Sequence, residues 1–81
     1  MPVISVLNGI SIKMYFQQEE HNPPHIHAIY GNASVIIYIN GDKPNEGNLS
    51  PSQMHELEQW VRNHKDELLT MWNTQKFYKI N

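Results

Sequence analysis

Three of the five histidines of this 81-residue chain fall within residues His21–His27, on either side of two consecutive prolines. Neutral imidazole is a common ligand of zinc and copper, and it also serves as an acid or base near neutral pH. The prolines fix their own φ angles and favour extended backbone before them, so the chain is predicted to hold His21 on a stiff arm. The spacing therefore predicts a metal site formed by His21, His25 and His27.

The residues after the prolines, His25–Tyr30, have the pattern of a β-strand. Successive side chains of a strand point to opposite faces, so His25 and His27 share one face with Ile29. Their Cα atoms are then about 6 to 7 Å apart. Both imidazoles are expected to reach one metal ion or one phosphate. The opposite face carries the more apolar set, which is Ile26, Ala28 and Tyr30.

The absence of cysteine limits any metal shell to histidine, carboxylate and water. Glu19 or Glu20 is a candidate for a further ligand, and the expected cofactor is a divalent transition metal such as zinc. The plainer alternative is that the histidines only form hydrogen bonds with backbone and loop groups around the prolines. The sequence leaves both alternatives open.

A second chemical alternative needs no metal, because two histidines with pKa values of about 6.5 can act as acid and base in RNA cleavage. The catalytic candidates are His25 and His27, with Lys13 or Tyr15 steadying a phosphate. The charge of the chain argues against this alternative, since the net charge is −2 and Arg62 is the one arginine. RNA is expected as a partner only in this alternative.

Four segments have the alternation and the β-branched residues that are typical of strands. Asn8-Gly9 and Gly31-Asn32 predict tight turns between them, because these residues accept positive φ angles. Pro44 removes a hydrogen-bond donor, so residues 42–48 are predicted to be mostly loop. The predicted strands are Val3–Leu7, Ile10–Phe16, His25–Tyr30 and Ala33–Ile39.

A helix is predicted to begin at Pro51, because Ser50 and Gln53 have the spacing of a capping box. It is predicted to end near Trp72. One stripe of the helix recurs at spacings of three and four residues: Met54, Leu57, Val61, His64, Leu68 and Met71. Trp60 and Trp72 are expected at the flanks of this stripe, and His64 is expected to bond to a backbone carbonyl.

The predicted fold class is α+β, with an antiparallel sheet of about four strands in hairpin order and one long C-terminal helix packed on one face. The length predicts a single domain, residues 1–81. Its core is thin, which favours a homodimer or a complex with another protein. The residues expected to be poorly covered in a monomer are Trp72, Phe77, Tyr78 and Ile80.

Short motifs are spread over nearly the whole chain: Met1-Pro2 with Ile4-Ser5, Gly9-Ile10, Met14-Tyr15, His21–Ala28 closing on Tyr30-Gly31, and Trp60, His64, Glu67-Leu68 and Trp72-Asn73 on the helix. Together they resemble the small bacterial proteins of the DUF4160 domain family. That family has no established biochemical function, and its members are often encoded beside a DUF2442 protein, in loci that look like toxin-antitoxin pairs. The resemblance thus implies a small protein partner. Pro44-Asn45 departs from the regular hairpin expected there.

These observations predict a protein-interaction module of a paired, toxin-antitoxin-like locus. The absence of a signal peptide and of any apolar run of about 18 residues predicts a cytoplasmic location. The expected partner is a second copy of the chain or a small DUF2442-like protein encoded nearby. The alternative function is a metal-dependent hydrolase or a small ribonuclease that uses His21, His25 and His27.

Overall fold

Five antiparallel strands form one sheet in chain order, within residues 3–16 and 22–80 that the computed structural model describes. Two helices follow the strands. The elements are β1 (Val3–Leu7), β2 (Ile10–Lys13), β3 (His25–Tyr30), β4 (Ala33–Tyr38), β5 (Glu46–Gly47), α1 (Pro51–Asn63) and α2 (Lys65–Thr74). The α+β class and the hairpin order are confirmed.

The first two predicted turns form where the sequence places them. Asn8 and Gly9 both have positive φ angles, 47° and 84°, as a type I′ turn between β1 and β2 requires. Between β3 and β4 only Gly31 has a positive φ, 59°, which fits a turn of the II′ type. Both hairpins are therefore fixed in register by two-residue loops.

The buried core lies between one face of the sheet and the two helices. Strand residues on that face include Ile10, Ile12, Ile26, Val35 and Ile37, all with at most 5% of their surface exposed. The helices contribute Leu57, Trp60, Val61, Leu68, Met71 and Trp72. The two tryptophans are themselves buried, so the apolar stripe is wider than the sequence pattern predicts.

The helix begins as predicted. The Ser50 side chain accepts a hydrogen bond from the Gln53 backbone N–H, and the Gln53 side chain accepts one from the Ser50 N–H, both at 3.2 Å. Leu49 and Met54 are half-buried against the core. The capping box is confirmed.

Three features differ from the prediction. Strand β2 ends at Lys13, whereas the predicted strand runs to Phe16. The single long helix is broken at His64, whose φ and ψ of −116° and 17° are not helical. The Nδ1–H of His64 donates to the Trp60 carbonyl at 2.9 Å, which is the backbone bond predicted for this histidine. A fifth strand is also present, although it has only two residues, Glu46–Gly47, because Pro44 lies just before it. No helix in the described ranges is long and apolar enough to cross a membrane.

The chain beyond α2 docks on the outer edge of β1. The Ile80 N–H donates to the Ile4 carbonyl at 2.6 Å, and the Ser5 hydroxyl donates to the Ile80 carbonyl at 2.8 Å. Trp72 and Ile80 are 1% and 6% exposed. The expectation that these two residues are poorly covered in a monomer is wrong. Trp72 packs from α2 against the His25 ring, and Ile80 is covered where the tail folds back onto the sheet. Tyr78 alone is largely exposed, at 49%.

Candidate functional site

The sheet face opposite the helices carries the predicted site residues, and we call it the open face. The strand register places these side chains on it: Val3, Val6, Ser11, Lys13, His27, Ile29, Ser34, Ile36 and Tyr38. Tyr15, two residues beyond the end of β2, joins them through its ring contact with His27. Apart from the end at His25, which Trp72 of α2 covers, none of the described helices or strands packs over this face. Val6 is 58% exposed, and Ile29 and Ile36 are half-buried.

The strand register arranges the open face in rows. Lys13 of β2 pairs with His27 of β3, and His27 pairs with Ile36 of β4. The next row, on the side of the Gly31 turn, joins Ser11, Ile29 and Ser34. Side chains directly opposite one another in neighbouring strands lie about 5 Å apart at Cβ, so each row is a line of contacting residues.

His25 lies at the end of the open face and is only 6% exposed. Its ring lies 5.3 Å from the Tyr38 ring and 5.1 Å from the Trp72 ring, measured between centroids. Its Nδ1–H donates to the Pro23 carbonyl at 2.9 Å. This bond is the structural role that the plainer alternative predicts.

The two prolines hold the chain between the end of β4 and helix α2. The Asn22-Pro23 peptide bond is cis. The Pro24 carbonyl accepts a hydrogen bond from the Ile39 N–H at 3.0 Å, which extends the β3–β4 pairing by one bond. The Trp72 indole N–H donates to the Asn22 side-chain oxygen at 2.8 Å. The proline segment thus positions His25 from both sides.

His27 is half-buried near the centre of the open face. The Tyr15 ring meets it edge-on, with centroids 4.5 Å apart, and the His25 ring is 5.4 Å away. Lys13 is its neighbour on β2. The structure therefore brings together the four catalytic candidates Lys13, Tyr15, His25 and His27, as the alternation predicts.

The metal site receives no support from the described part of the chain. Residues 3–16 and 22–80 hold no group of three or more histidine, aspartate or glutamate side chains placed to bind a metal ion. His21 and the candidate ligands Glu19 and Glu20 lie outside the described residues. The set of His21, His25 and His27 stays a prediction.

Tyr38 and Trp72 are part of the site, although they are not among the predicted site residues. The position of Tyr38 follows from the two-residue turn at Gly31: counting back from the Tyr30–Ala33 pair places it opposite His25. Trp72 comes from α2, and no local pattern connects it with the histidines. Its contact depends on how the helices lie across the sheet.

A comparison with protein families decides the classification. Residues 9–73 match the family described as Domain of unknown function (DUF4160). The chain belongs to the DUF4160 family. The match begins at the first turn and ends one residue after Trp72, so it contains the proline segment and most of the open face. No curated protein and no solved structure matches this DUF4160 chain.

Proposed function

We propose that this DUF4160 protein is a protein-interaction module and that its open face binds another protein. The observation that supports this is the set of apolar and aromatic side chains left without cover by the described helices and strands. Apolar surface that is contiguous and exposed is typical of binding sites, and tyrosine is a frequent anchor in protein interfaces.

The charge distribution of the open face supports a protein partner. Lys13 is the one charged residue among the open-face side chains defined above. Glu46 lies at the margin, where its carboxylate accepts a hydrogen bond from the Tyr38 hydroxyl at 2.6 Å, and Lys43 lies over the Tyr38 ring at 5.7 Å. An apolar centre with charged residues at its margin is the usual arrangement of a protein interface.

The partner we propose is a small protein from the same paired, toxin-antitoxin-like locus, acting in the cytoplasm. The family resemblance supports a DUF2442-like protein in this role. A homodimer through the open face is the other outcome. Trp72 and Ile80 are buried within the chain, so they are not available to a partner. The proposed binding surface is therefore the open face and not the C-terminal tail.

The test places a charge in the centre of the open face. Ile36→Glu is expected to weaken binding of the purified neighbouring gene product by about tenfold or more, because it buries an unpaired carboxylate in the interface. Calorimetry measures the binding, and sedimentation measures dimerisation. Gln59→Glu adds the same charge on an exposed position of α1 and is expected to bind as the unchanged protein does.

Two results would contradict the proposal. One is unchanged binding or dimerisation by Ile36→Glu, provided that a thermal melt shows the variant to be folded. The other is an unchanged protein that stays monomeric and binds no product of the same locus. The hydrolase alternative gains no observation from the described residues, because they hold no group placed to bind a metal ion. The ribonuclease alternative has its four candidates together on one face, but the His25 Nδ1–H is already bonded to the Pro23 carbonyl.

A further inference from the structure

A pocket of about 380 Å³ lies beside the end of β4, between the loop of residues 40–45 and the junction of the two helices. Ile37, Ile39 and Val61 line it, and each is 5% or 6% exposed, so they form an apolar floor. Its size lies within the range of about 300 to 1,000 Å³ that is common for small-ligand sites. It shares only Tyr38 with the open face.

The walls of this pocket carry charges of both signs. Arg62 and Lys65 line the pocket, and neither forms an ion pair with any residue in the described ranges. Glu58 lines the pocket as well, and its carboxylate accepts a hydrogen bond from the Asn45 amide at 3.1 Å. Two cations and one carboxylate give the walls a net charge of +1.

We propose that this pocket binds a carboxylate carried on a short aliphatic body. Arginine presents a planar fork of donors that matches a carboxylate with two parallel hydrogen bonds, and lysine adds a second positive charge. The aliphatic body covers the floor formed by Ile37, Ile39 and Val61. Two sources share this chemistry: the C-terminus of an extended peptide with an aliphatic last residue, and a free branched-chain acid.

The net charge of +1 on the residues that line the pocket favours a ligand with a single negative charge. A phosphate dianion would bring two negative charges beside the Glu58 carboxylate, and like charges placed close together repel each other. A carboxylate brings one charge, which the walls balance. In a peptide ligand, the Glu58 carboxylate also offers an acceptor for a backbone N–H.

The experiment titrates three probes into the full chain while amide chemical shifts are followed by NMR. The probes are the peptide acetyl-Gly-Gly-Leu with a free carboxylate, the same peptide with a C-terminal amide, and 4-methylpentanoate. We expect the free-carboxylate peptide to shift the amides of Asn40, Gly41 and Asn45, and to bind about tenfold or more tightly than the capped peptide. If the free-carboxylate peptide binds more tightly than 4-methylpentanoate, the ligand is identified as a chain terminus. If the two probes bind equally, the ligand is identified as a free acid.

The variant Arg62→Gln/Lys65→Gln is expected to lose about tenfold or more in affinity, and because both residues are exposed the fold is not at risk. The matched control Lys76→Gln removes an exposed cation outside the pocket and is expected to change nothing. The proposal is overturned if no probe shifts these amides at ~10 mM, the weak end of specific binding. It is also overturned if the capped peptide binds as tightly as the free-carboxylate peptide, or if the double variant binds the free-carboxylate peptide as tightly as the unchanged protein does.

Discussion

His25 is the most buried of the histidines that the structure describes. His25→Ala removes the bond to the Pro23 carbonyl together with the ring contacts to Tyr38 and Trp72. We expect the free energy of unfolding to fall by about 2 to 4 kcal/mol, the range for a buried large-to-small change. Denaturant unfolding measures it. His27→Ala, at a half-buried position, is the control and is expected to cost less; equal costs would contradict a special role for His25.

The hydrogen bond between Tyr78 and Glu67 can be tested by titration of the Tyr78 hydroxyl. The Tyr78 hydroxyl donates to a Glu67 carboxylate oxygen at 2.7 Å, and this bond raises the Tyr78 pKa above its usual value of 10.0. The bond is intact below pH 10 and is lost as the pH rises through the raised pKa, because the phenolate has no proton to donate.

Glu67→Gln is expected to lower the Tyr78 pKa towards its usual value, because it removes the charged acceptor. Ultraviolet absorbance of the phenolate, with Tyr78→Phe subtracted to isolate the signal, measures the change. An identical titration curve in Glu67→Gln would show that the hydrogen bond has no influence on Tyr78 in solution.

At the scale of the elements, the start of α1 gives the simplest prediction. Ser50→Ala removes the acceptor for the Gln53 N–H and is expected to cost about 1 kcal/mol in the free energy of unfolding. Chemical denaturation measures it. Ser52→Ala, inside the first turn, is the control and is expected to change stability by a few tenths of a kcal/mol. A Ser50→Ala midpoint equal to that of the unchanged protein would refute the role of the cap.

Gly47 holds β5 against β4. Its φ is +101°, and a Cβ at this position would collide with the Ser34 carbonyl oxygen, which is backbone and cannot move aside. Gly47→Ala is therefore expected to detach β5 and lower the melting temperature. Gly41 also has a positive φ, +71°, but there is open space around it. Gly41→Ala is therefore expected to cost only the backbone strain of about 1 to 2 kcal/mol. Equal melting temperatures for the two variants would contradict the close contact.

Local signals explain which elements could be predicted from the sequence. The pair Asn8-Gly9 and the pair Ser50 and Gln53 act over a few residues, so both were predictable and both are confirmed. The break at His64 could not be predicted from the sequence. The apolar periodicity continues through His64 from Leu57 to Leu68, and neither proline nor glycine interrupts this stretch. In the site, alternation predicted the shared face of His25 and His27, whereas the Trp72 contact depends on tertiary packing.

At the scale of the whole molecule, the metal prediction has a direct test. A metal that binds only the folded chain raises the melting temperature by mass action. If His21, His25 and His27 form a site, zinc is expected to raise it, and less so below about pH 6, where protons compete for imidazole. His21→Ala is expected to remove the rise, while the exposed control His55→Ala keeps it. No zinc effect would end the metal-dependent alternative.

The contact between Ile80 and Ile4 also bears on the colloidal behaviour of the protein. An uncovered edge strand offers unpaired N–H and C=O groups to other chains and promotes aggregation. The tail occupies part of the outer edge of β1, and at the other edge β5 is only two residues long. The sheet therefore offers little template for intermolecular strand pairing, so the apolar open face can stay available to a partner without the sheet growing edge to edge into fibres.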